Sequence, residues 1–350
     1  MLRRIQKIVM IVAVSCSLSA PVFAADVAAT VNGRVRSWLE QVAVKDGTSN
    51  MQMKADGRIG ASISATKGSW TATAFQNMDL DSDAGVASPT ILEQKITLGN
   101  ESIDVTLGRS APYGVSKGMA YGVGPIYGGW WVGETLQTTD VADHLIVTLK
   151  GVGLTAIVGM NYYDSADSTN DARNETVTGL VFDNTFGVVE LGVEFIYSSS
   201  KVDAKDTNGV RAANGGSYDG QKFSALALGI GFAITDKMGV AINLESNSKT
   251  DGTVGAKADK NTMAELWFDL GIGDASGISV GAGTATNDDG STNKATSTHT
   301  NLTGSIKIGI ADLWASYLAT TRKDDDIDAT TGTATDTATI TVAAGLRVVF

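Results

Sequence analysis

The chain has one cysteine, four prolines and no long apolar run among its 350 residues. A single cysteine excludes an internal disulfide framework. So little proline excludes collagen-like and proline-rich disordered chains. The longest apolar candidate in the body of the chain, residues 225–234, is interrupted by Gly229 and Gly231. It therefore falls short of the roughly 18–20 apolar residues that a membrane-spanning helix needs, which excludes a helical membrane protein.

Basic charge is also scarce. Lysine and arginine number 27 against 38 aspartates and glutamates, so the formal net charge is −11. Proteins that bind nucleic acid electrostatically carry basic faces, so that class is disfavoured and no nucleic-acid partner is expected. An apolar content of 43% is too high for an intrinsically disordered chain.

The N-terminus has the pattern of an export signal. Residues 8–14 are apolar, and residues 22–24 form a small-residue cleavage site. The positive charges before the apolar stretch are Arg3, Arg4 and Lys7. We expect residues 1–24 to be a cleaved signal peptide and residues 25–350 to be the mature protein. A lipoprotein cleavage site ending at Cys16 is the weaker alternative, because it lacks the usual leucine at its first position.

Most of the mature chain alternates apolar residues with polar or small ones. Near the start, Val31, Val35 and Leu39 share one parity, and the other parity holds Asn32, Arg34, Arg36 and Glu40. Because successive side chains of a β-strand point to opposite faces, this pattern predicts strands with one apolar and one polar face. About sixteen such segments start near residues 28, 51, 70, 90, 103, 141, 153, 174, 188, 219, 240, 261, 278, 299, 313 and 337.

The connections between these segments are short and long in turn. Short ones such as residues 67–68 and 311–312 alternate with long ones rich in Asp, Asn, Ser, Thr and Gly. The prolines after residue 24, which are Pro89, Pro112 and Pro125, all lie in long connections, where no sheet hydrogen bond is lost. This layout predicts an all-β, antiparallel up-and-down sheet.

Three features favour a membrane barrel over a soluble sandwich. The polar parity carries full charges at mid-strand, and the apolar parity is light in large side chains. Aromatic residues near segment ends suit interfacial belts; they are Trp70, Tyr162, Tyr163, Tyr197, Trp267, Trp314 and Tyr317. Every backbone polar group in hydrocarbon must be paired, so such a sheet must close on itself. Sixteen strands would then enclose an aqueous channel.

Three stretches resemble the general porins of Gram-negative bacteria. They are residues 31–36 in the first strand, residues 107–114 at the end of the fifth strand, and the ending with Leu346, Val348 and Phe350. The resemblance implies a sixteen-stranded outer-membrane barrel that assembles as a homotrimer and folds its long third loop into the pore. It also implies recognition of Phe350 by the barrel-assembly machinery, contact with outer-membrane lipid, and passive diffusion of ions and small hydrophilic solutes.

The resemblance further implies a pore constriction. Its basic wall would comprise Arg34, Arg36, Arg58, Lys95 and Arg109, although strict alternation gives Arg109 the outward parity of Leu107. Its loop would carry Tyr113, Lys117, Tyr121, Trp130, Trp131 and Glu134. The family's loop is acidic, whereas Glu134 is the only acid between Ser110 and Leu136. We therefore expect a constriction with a positive bias and an anion preference, which Asp56, Glu93 and Asp104 would offset.

No residue pattern predicts an enzyme, a metal site or a cofactor. Residues 277–281 match the Gly-x-Ser-x-Gly pattern, but they lie in an alternating segment without the helix that a nucleophile elbow needs. His144 and His299 are isolated from each other and from cysteine. A channel selective for sugars or carboxylates remains an alternative, and a barrel-based surface adhesin or structural protein is a more distant one.

Overall fold

The chain forms sixteen β-strands. The computed structural model describes residues 26–45, 47–79, 90–109, 115–123, 143–162, 173–202, 222–250, 258–288, 294–327 and 334–350. The strands are β1 (Asp26–Val44), β2 (Ser49–Lys67), β3 (Trp70–Asp79), β4 (Thr90–Gly99), β5 (Ile103–Arg109), β6 (Asp143–Leu149), β7 (Leu154–Tyr162), β8 (Arg173–Phe186), β9 (Val189–Val202), β10 (Lys222–Thr235), β11 (Met238–Thr250), β12 (Ala258–Gly273), β13 (Ser276–Asp288), β14 (Lys294–Ile308), β15 (Ala311–Ile327) and β16 (Ala334–Val349). Each begins within five residues of its predicted start.

Every strand pairs antiparallel with its neighbours in sequence, and β1 pairs with β16 to close the barrel. At this seam Gly33 and Phe350 exchange two backbone hydrogen bonds, of 2.8 and 3.1 Å. The prediction of a closed antiparallel barrel is therefore confirmed, and the alternative of a sandwich is wrong. Within the described residues, no helix is long and apolar enough to span a bilayer.

The two faces of the barrel differ as the alternation predicts. On β1, Val35 and Leu39 face outward and are half exposed, at 52% and 50%, whereas Arg36 and Glu40 face inward. The same order continues around the barrel, with Leu266 outward beside Glu265 and Trp267 inward. An apolar outer face on a closed sheet is the arrangement that hydrocarbon requires.

The short connections lie at one end of the barrel, called the short-turn end below, and the long ones at the other, the long-loop end. Tight turns at the short-turn end place Gly68 and Gly309 at φ values of 62°, which a glycine adopts without a steric penalty. The three prolines of the long connections lie outside the described residues, as does the predicted signal peptide.

Candidate functional site

Four arginines project into the barrel from three adjacent strands. Arg34 of β1 lies in register with Arg58 of β2, and Arg36 of β1 lies in register with Arg347 of β16. Because neighbouring strands are about 4.8 Å apart, these residues form one patch, called the basic wall here. Arg34, Arg36 and Arg58 were predicted for this wall from the sequence. Arg347 was not predicted for the pore, although the alternation of the last strand gives it the polar parity.

Carboxylates partly neutralise the basic wall. The Arg36 guanidinium donates to both carboxylate oxygens of Asp56, with Nε 2.8 Å from Oδ1. Arg347 donates to Asp312 from Nε at 2.8 Å and from Nη2 at 2.7 Å. On the same face Lys54 lies 2.9 Å from Glu40. With Lys54 included, this face carries five cations, and three carboxylates lie against Arg36, Arg347 and Lys54.

Lys95 and Arg109 lie apart from this patch. Lys95 of β4 faces inward, with Nζ 5.3 Å from the ring centroid of Phe75 and 3.5 Å from Glu93 Oε1. Arg109 is in register with Gln94, an outward-facing residue, whereas Gly108 is the residue opposite Lys95. Gly108, which precedes Arg109, has a φ of 132°, so the backbone departs from a regular strand at this end of β5. The expectation that Arg109 joins the basic wall stays a prediction.

The opposite half of the barrel presents acids to the interior. Strands β9 and β10 stand eight places from β1 and β2 in the ring of sixteen. The inward rows of β8, β9, β11 and β12 carry several acids. Six of them are called the carboxylate wall here: Asp183, Glu190, Glu194, Glu245, Glu265 and Asp269. Glu265 Oε1 is 3.7 Å from His299 Nε2. The lumen therefore has walls of opposite sign.

Residues 115–123, called the inward segment here, cross the inner face between these walls. Val115 is completely buried against two glycines of the wall. A Cβ on Gly192 would lie 2.8 Å from Val115 Cβ, and one on Gly229 would lie 2.0 Å from the Val115 carbonyl oxygen. Any larger residue at Gly229 would thus displace the segment, because backbone rather than a flexible side chain occupies that space.

Polar side chains of the wall hold the backbone of the inward segment. Asn243 accepts a hydrogen bond from the Lys117 amide at 2.8 Å and donates one to the Lys117 carbonyl at 2.9 Å, as a neighbouring strand would do. The Lys117 ammonium lies 2.8 and 2.9 Å from the two carboxylate oxygens of Asp183.

Two further backbone amides are held at the next turn of the segment. Ala120 donates to Asp269 Oδ1 at 3.1 Å, and Tyr121 donates to Ser279 Oγ at 3.1 Å. Ser279 in turn donates to Asp269. Ser279 belongs to the Gly-x-Ser-x-Gly stretch, which lies within strand β13. This serine therefore helps to hold the inward segment against the barrel wall.

Tryptophans form the apolar part of the same contact. Gly118, at φ 86°, lies against Trp267, because a Cβ there would be 2.6 Å from Trp267 Cβ. At the other end Val123 packs on Trp38 and Trp314, whose ring centroids are 6.4 Å apart. Trp267 and Trp314 are 2% and 3% exposed and face inward, so assigning these two to the interfacial belts is wrong. Both tryptophans share the parity of charged residues on their own strands, so the alternation already indicated that they face the interior.

Of the proposed loop residues, only Lys117 and Tyr121 lie within the described part of the chain; Tyr113, Trp130, Trp131 and Glu134 lie outside it. The residues that hold the segment, Asp183, Asn243, Asp269 and Ser279, were not predicted. The sequence gives little reason to single them out, because each is an ordinary polar residue on an inward row. No group of three His, Cys, Asp or Glu within the described ranges is placed to hold a metal ion.

The C-terminal residues proposed for assembly lie on the outer side of the seam. Leu346 and Phe350 are 42% and 56% exposed, and Val348 pairs with Val35 in the same outward row. The Phe350 ring lies against Gly33, where a Cβ would be 2.8 Å from Cζ. Gly33 thus provides the space for the terminal ring beside the closing strand pair.

Solved outer-membrane barrels share this fold. The anion-selective porin from Comamonas acidovorans superposes with a TM-score of 0.62 at 14% identity, over 93% of this chain and 100% of that one. The outer membrane protein OmpT of Vibrio cholerae, in a trimer form, gives 0.62 at 13% identity over 93% and 99%. The outer membrane channel DcaP of Acinetobacter baumannii gives 0.59 at 14% identity over 93% and 97%.

No family model matches the chain, and no curated protein sequence matches it. At these identities the structural likeness shows the fold alone. With the apolar outer face, that fold is the sixteen-stranded antiparallel barrel of outer-membrane proteins.

Proposed function

We propose that this protein is a general diffusion porin of the Gram-negative outer membrane, a water-filled channel for ions and small hydrophilic solutes. The observation that carries the proposal is the interior of the closed barrel. Charged side chains of both signs line it, with the basic wall on β16, β1 and β2 and the carboxylate wall on β8–β12. A sixteen-stranded barrel is wide enough to hold an aqueous channel. In this proposal the protein catalyses no reaction and needs no cofactor.

The inward segment is proposed to narrow the channel as part of the third loop. It belongs to the connection between β5 and β6, and four wall residues hold it against β8–β13. Tyr113, Trp130, Trp131 and Glu134 remain expected members of the same constriction. Fixed charges in a narrow, low-dielectric passage select ions by sign, so the residues beside the segment would set selectivity.

An anion preference follows from the exposed charges of the lumen. Arg34, Arg58 and Arg347 keep partly accessible surfaces, whereas three acids of the opposite wall, Glu194, Glu245 and Glu265, are at most 4% exposed. Asp183 and Glu190 of that wall are exposed, but Asp183 is paired with the Lys117 ammonium, so we expect the accessible charge of the lumen to be positive on balance. The Comamonas barrel of similar fold is named an anion-selective porin.

Assembly as a homotrimer and insertion through the barrel-assembly machinery complete the proposal. A trimer form is known for the Vibrio barrel of similar fold, and the terminal Phe350 with its alternating apolar partners supports recognition during assembly. Heat-modifiable migration on a denaturing gel would test the assembled state.

Planar-bilayer recording tests the channel. The purified protein is expected to give stable conductance steps that rise linearly with salt concentration, and a salt gradient should give a reversal potential of the sign for anion preference. Solute flux that saturates, or a sugar or carboxylate that blocks the current, would favour the substrate-selective channel instead. Absence of conductance from folded, heat-modifiable protein would contradict the proposal.

A further inference from the structure

The seam between β1 and β16 places two arginines directly opposite each other. Arg36 and Arg347 are in register across it. Gly33 and Phe350 exchange two backbone hydrogen bonds, so the alternation of antiparallel pairs makes Arg36 and Arg347 a pair without such bonds, with Cα atoms about 4.5 Å apart. Like charges directly opposite each other destabilise a strand pair. The closed seam therefore depends on counter-charges.

Two aspartates supply these charges from the strands on either side. Asp56 of β2 accepts from Arg36, and Asp312 of β15 accepts from Arg347. The four residues form one row across β15, β16, β1 and β2, called the seam row here, with an acid at each end. Arg36 and Asp312 are both 5% exposed. Removing the partner of a buried charge is strongly destabilising, so each aspartate holds its arginine away from the seam.

Two tryptophans meet beside the seam row on the same face. Trp38 and Gly345 are in register across the seam, each two residues from an arginine of the row, and Gly345 is also in register with Trp314 of β15. A Cβ on Gly345 would lie 2.6 Å from Trp38 Cβ and 2.9 Å from Trp314 Cζ2. The indoles thus approach each other over a glycine of the last strand. This contact between β1 and β15 requires a closed seam.

The inward segment ends on this pair of tryptophans. Val123 packs on Trp38 and Trp314, whereas Val115, at the other end, is buried against glycines of β9 and β10. Strands β9 and β10 stand eight places from β1 and β2 in the ring. One end of the segment therefore rests on strands that follow each other in sequence, and the other end rests on the seam.

We propose that the closed seam positions the constriction. In this proposal Trp38 and Trp314 are positioning residues that dock the Val123 end of the inward segment, and the seam row keeps this docking surface in place. The inference rests on the proposed porin function and adds what controls its constriction. A disturbance of the seam row, far from the contacts of Lys117 with Asn243, should then loosen the inward segment.

Neutralising both acids of the seam row tests this coupling. Asp56→Asn with Asp312→Asn leaves the two arginines opposed, and within the described ranges neither aspartate bonds to the inward segment. The motion of the segment is measured by electron paramagnetic resonance from a nitroxide at Ala120→Cys, an exposed position, in a chain that also carries Cys16→Ser. The mobile component of the spectrum should rise at least threefold.

The matched control removes two carboxylates from ion pairs elsewhere. Glu93→Gln with Asp104→Asn alters pairs with Lys95 and Lys150 on β4, β5 and their turns. This control should leave the nitroxide as immobile as in the wild type. A control variant as loose as the seam variant would mean that any lost ion pair has the effect, and the proposal would fail.

A third substitution separates charge opposition from simple loss of bonds. Adding Arg347→Gln to the double asparagine variant removes one of the two opposed charges, so the mobile component should return to within twofold of the wild type. If the aspartates acted only as bonding partners, removing a further charged residue would not restore the segment. A triple variant as loose as the double variant would overturn the role of the seam row.

Trp314→Leu tests the docking surface without changing charge. It removes one of the two indoles beneath Val123, so the mobile component should again rise at least threefold. Trp70→Leu is its matched control, because Trp70 is 41% exposed on the outer face, and it should have no effect. Heat-modifiable migration checks that each variant folds; if the seam variant does not, Trp314→Leu decides. An immobile nitroxide in folded Trp314→Leu would refute the proposal.

Conductance recorded from the same samples keeps the two proposals apart. Normal channel steps with an immobile nitroxide in both the seam variant and Trp314→Leu would refute the docking and leave the porin function standing. A nitroxide loosened as expected, in protein that gives no conductance even as the wild type, would support the docking and refute the function.

Discussion

The two charged walls of the lumen differ in how much of their charge reaches water. The carboxylate wall has six acids, yet Glu194, Glu245 and Glu265 are at most 4% exposed. The basic wall has four arginines, of which Arg34, Arg58 and Arg347 keep accessible surface. Of the other acids of that wall, Glu190 is exposed, and Asp183 is exposed but paired with the Lys117 ammonium. We therefore expect the accessible charge of the lumen to be positive on balance, although the formal net charge of the chain is −11.

In the proposed channel, we expect the exposure of each charge, more than the total charge, to set the ion selectivity. Acids buried on the far wall have protein neighbours, among them His299 near Glu265, and neighbouring atoms keep solutes from direct contact with them. Arginines that remain accessible act directly on solutes at close range. Changes to the two walls should therefore have unequal effects on ion flow, although the same number of charges is altered.

Reversing two charges of the basic wall should have the largest effect. A unit charge about 7 Å from an ion changes its energy by about 0.6 kcal/mol in water. The double variant Arg34→Glu with Arg58→Glu changes four units, so the energies of anions and cations shift in opposite directions by about 2 kcal/mol each before screening. We expect the anion-to-cation permeability ratio to fall at least tenfold, and the reversal potential in a salt gradient to change sign.

The matched control changes the same four charges far from the wall. Lys67→Glu with Lys237→Glu alters two exposed residues at short turns. This control should leave the reversal potential nearly unchanged. Equal shifts from both double variants would mean that total charge, and not the basic wall, sets the selectivity.

The features that could be predicted from the sequence are those that follow from the alternation of side chains along each strand. Alternation placed Arg34, Arg36 and Arg58 on one face, and it placed the start of every strand within five residues. The contact between distant elements was not predictable in this way. Asn243 binds Lys117 across 126 residues of chain, and no periodic pattern marks an asparagine that replaces a strand partner.

The error at Trp314 arose from weighing residue type above alternation. An aromatic residue near a strand end suits a bilayer interface, but Trp314 lies on the inward parity and packs with Trp38 and Val123. The alternation was the better guide here, since it follows from backbone geometry.

The next largest effect should come from a large residue beneath the inward segment. Gly229→Leu puts a side chain where the Val115 carbonyl lies, 2.0 Å from the Cβ position. The segment then cannot keep its place on the carboxylate wall, so the channel should switch between conductance levels, with current variance raised about tenfold by loop motion on the recorded timescale. Single-channel recording at constant voltage measures this change.

Gly273→Leu is the matched control for this variant, because a Cβ at Gly273 meets no atom within 4 Å. It should record as quietly as the wild type. Heat-modifiable migration checks that both variants fold. A quiet Gly229→Leu channel in a folded barrel would show that the segment does not depend on this contact.

Replacing Asn243, which makes two hydrogen bonds to the Lys117 backbone, should have a smaller and graded effect on channel switching. Asn243→Leu loses both hydrogen bonds to Lys117, whereas Asn243→Asp keeps the acceptor for the Lys117 amide and loses the donor to its carbonyl. Each lost hydrogen bond to the backbone weakens docking by about 1 kcal/mol. The rate of switching should rise about fivefold for Asp and further for Leu. The reverse order would contradict the role given to this side chain.

The smallest effects should come from replacing single acids of the carboxylate wall. These variants compare an exposed acid directly with a buried one. Glu190 is exposed and Glu194 is 1% exposed, although both face inward from β9 and lie four residues apart. Glu190→Gln removes a charge that ions approach through water, so the anion-to-cation permeability ratio should rise about twofold after screening. Glu194→Gln removes a charge covered by protein and should change the ratio far less. Reversal potentials from the two variants in one salt gradient decide the matter: if Glu194→Gln has the larger effect, burial does not shield the acids of this wall.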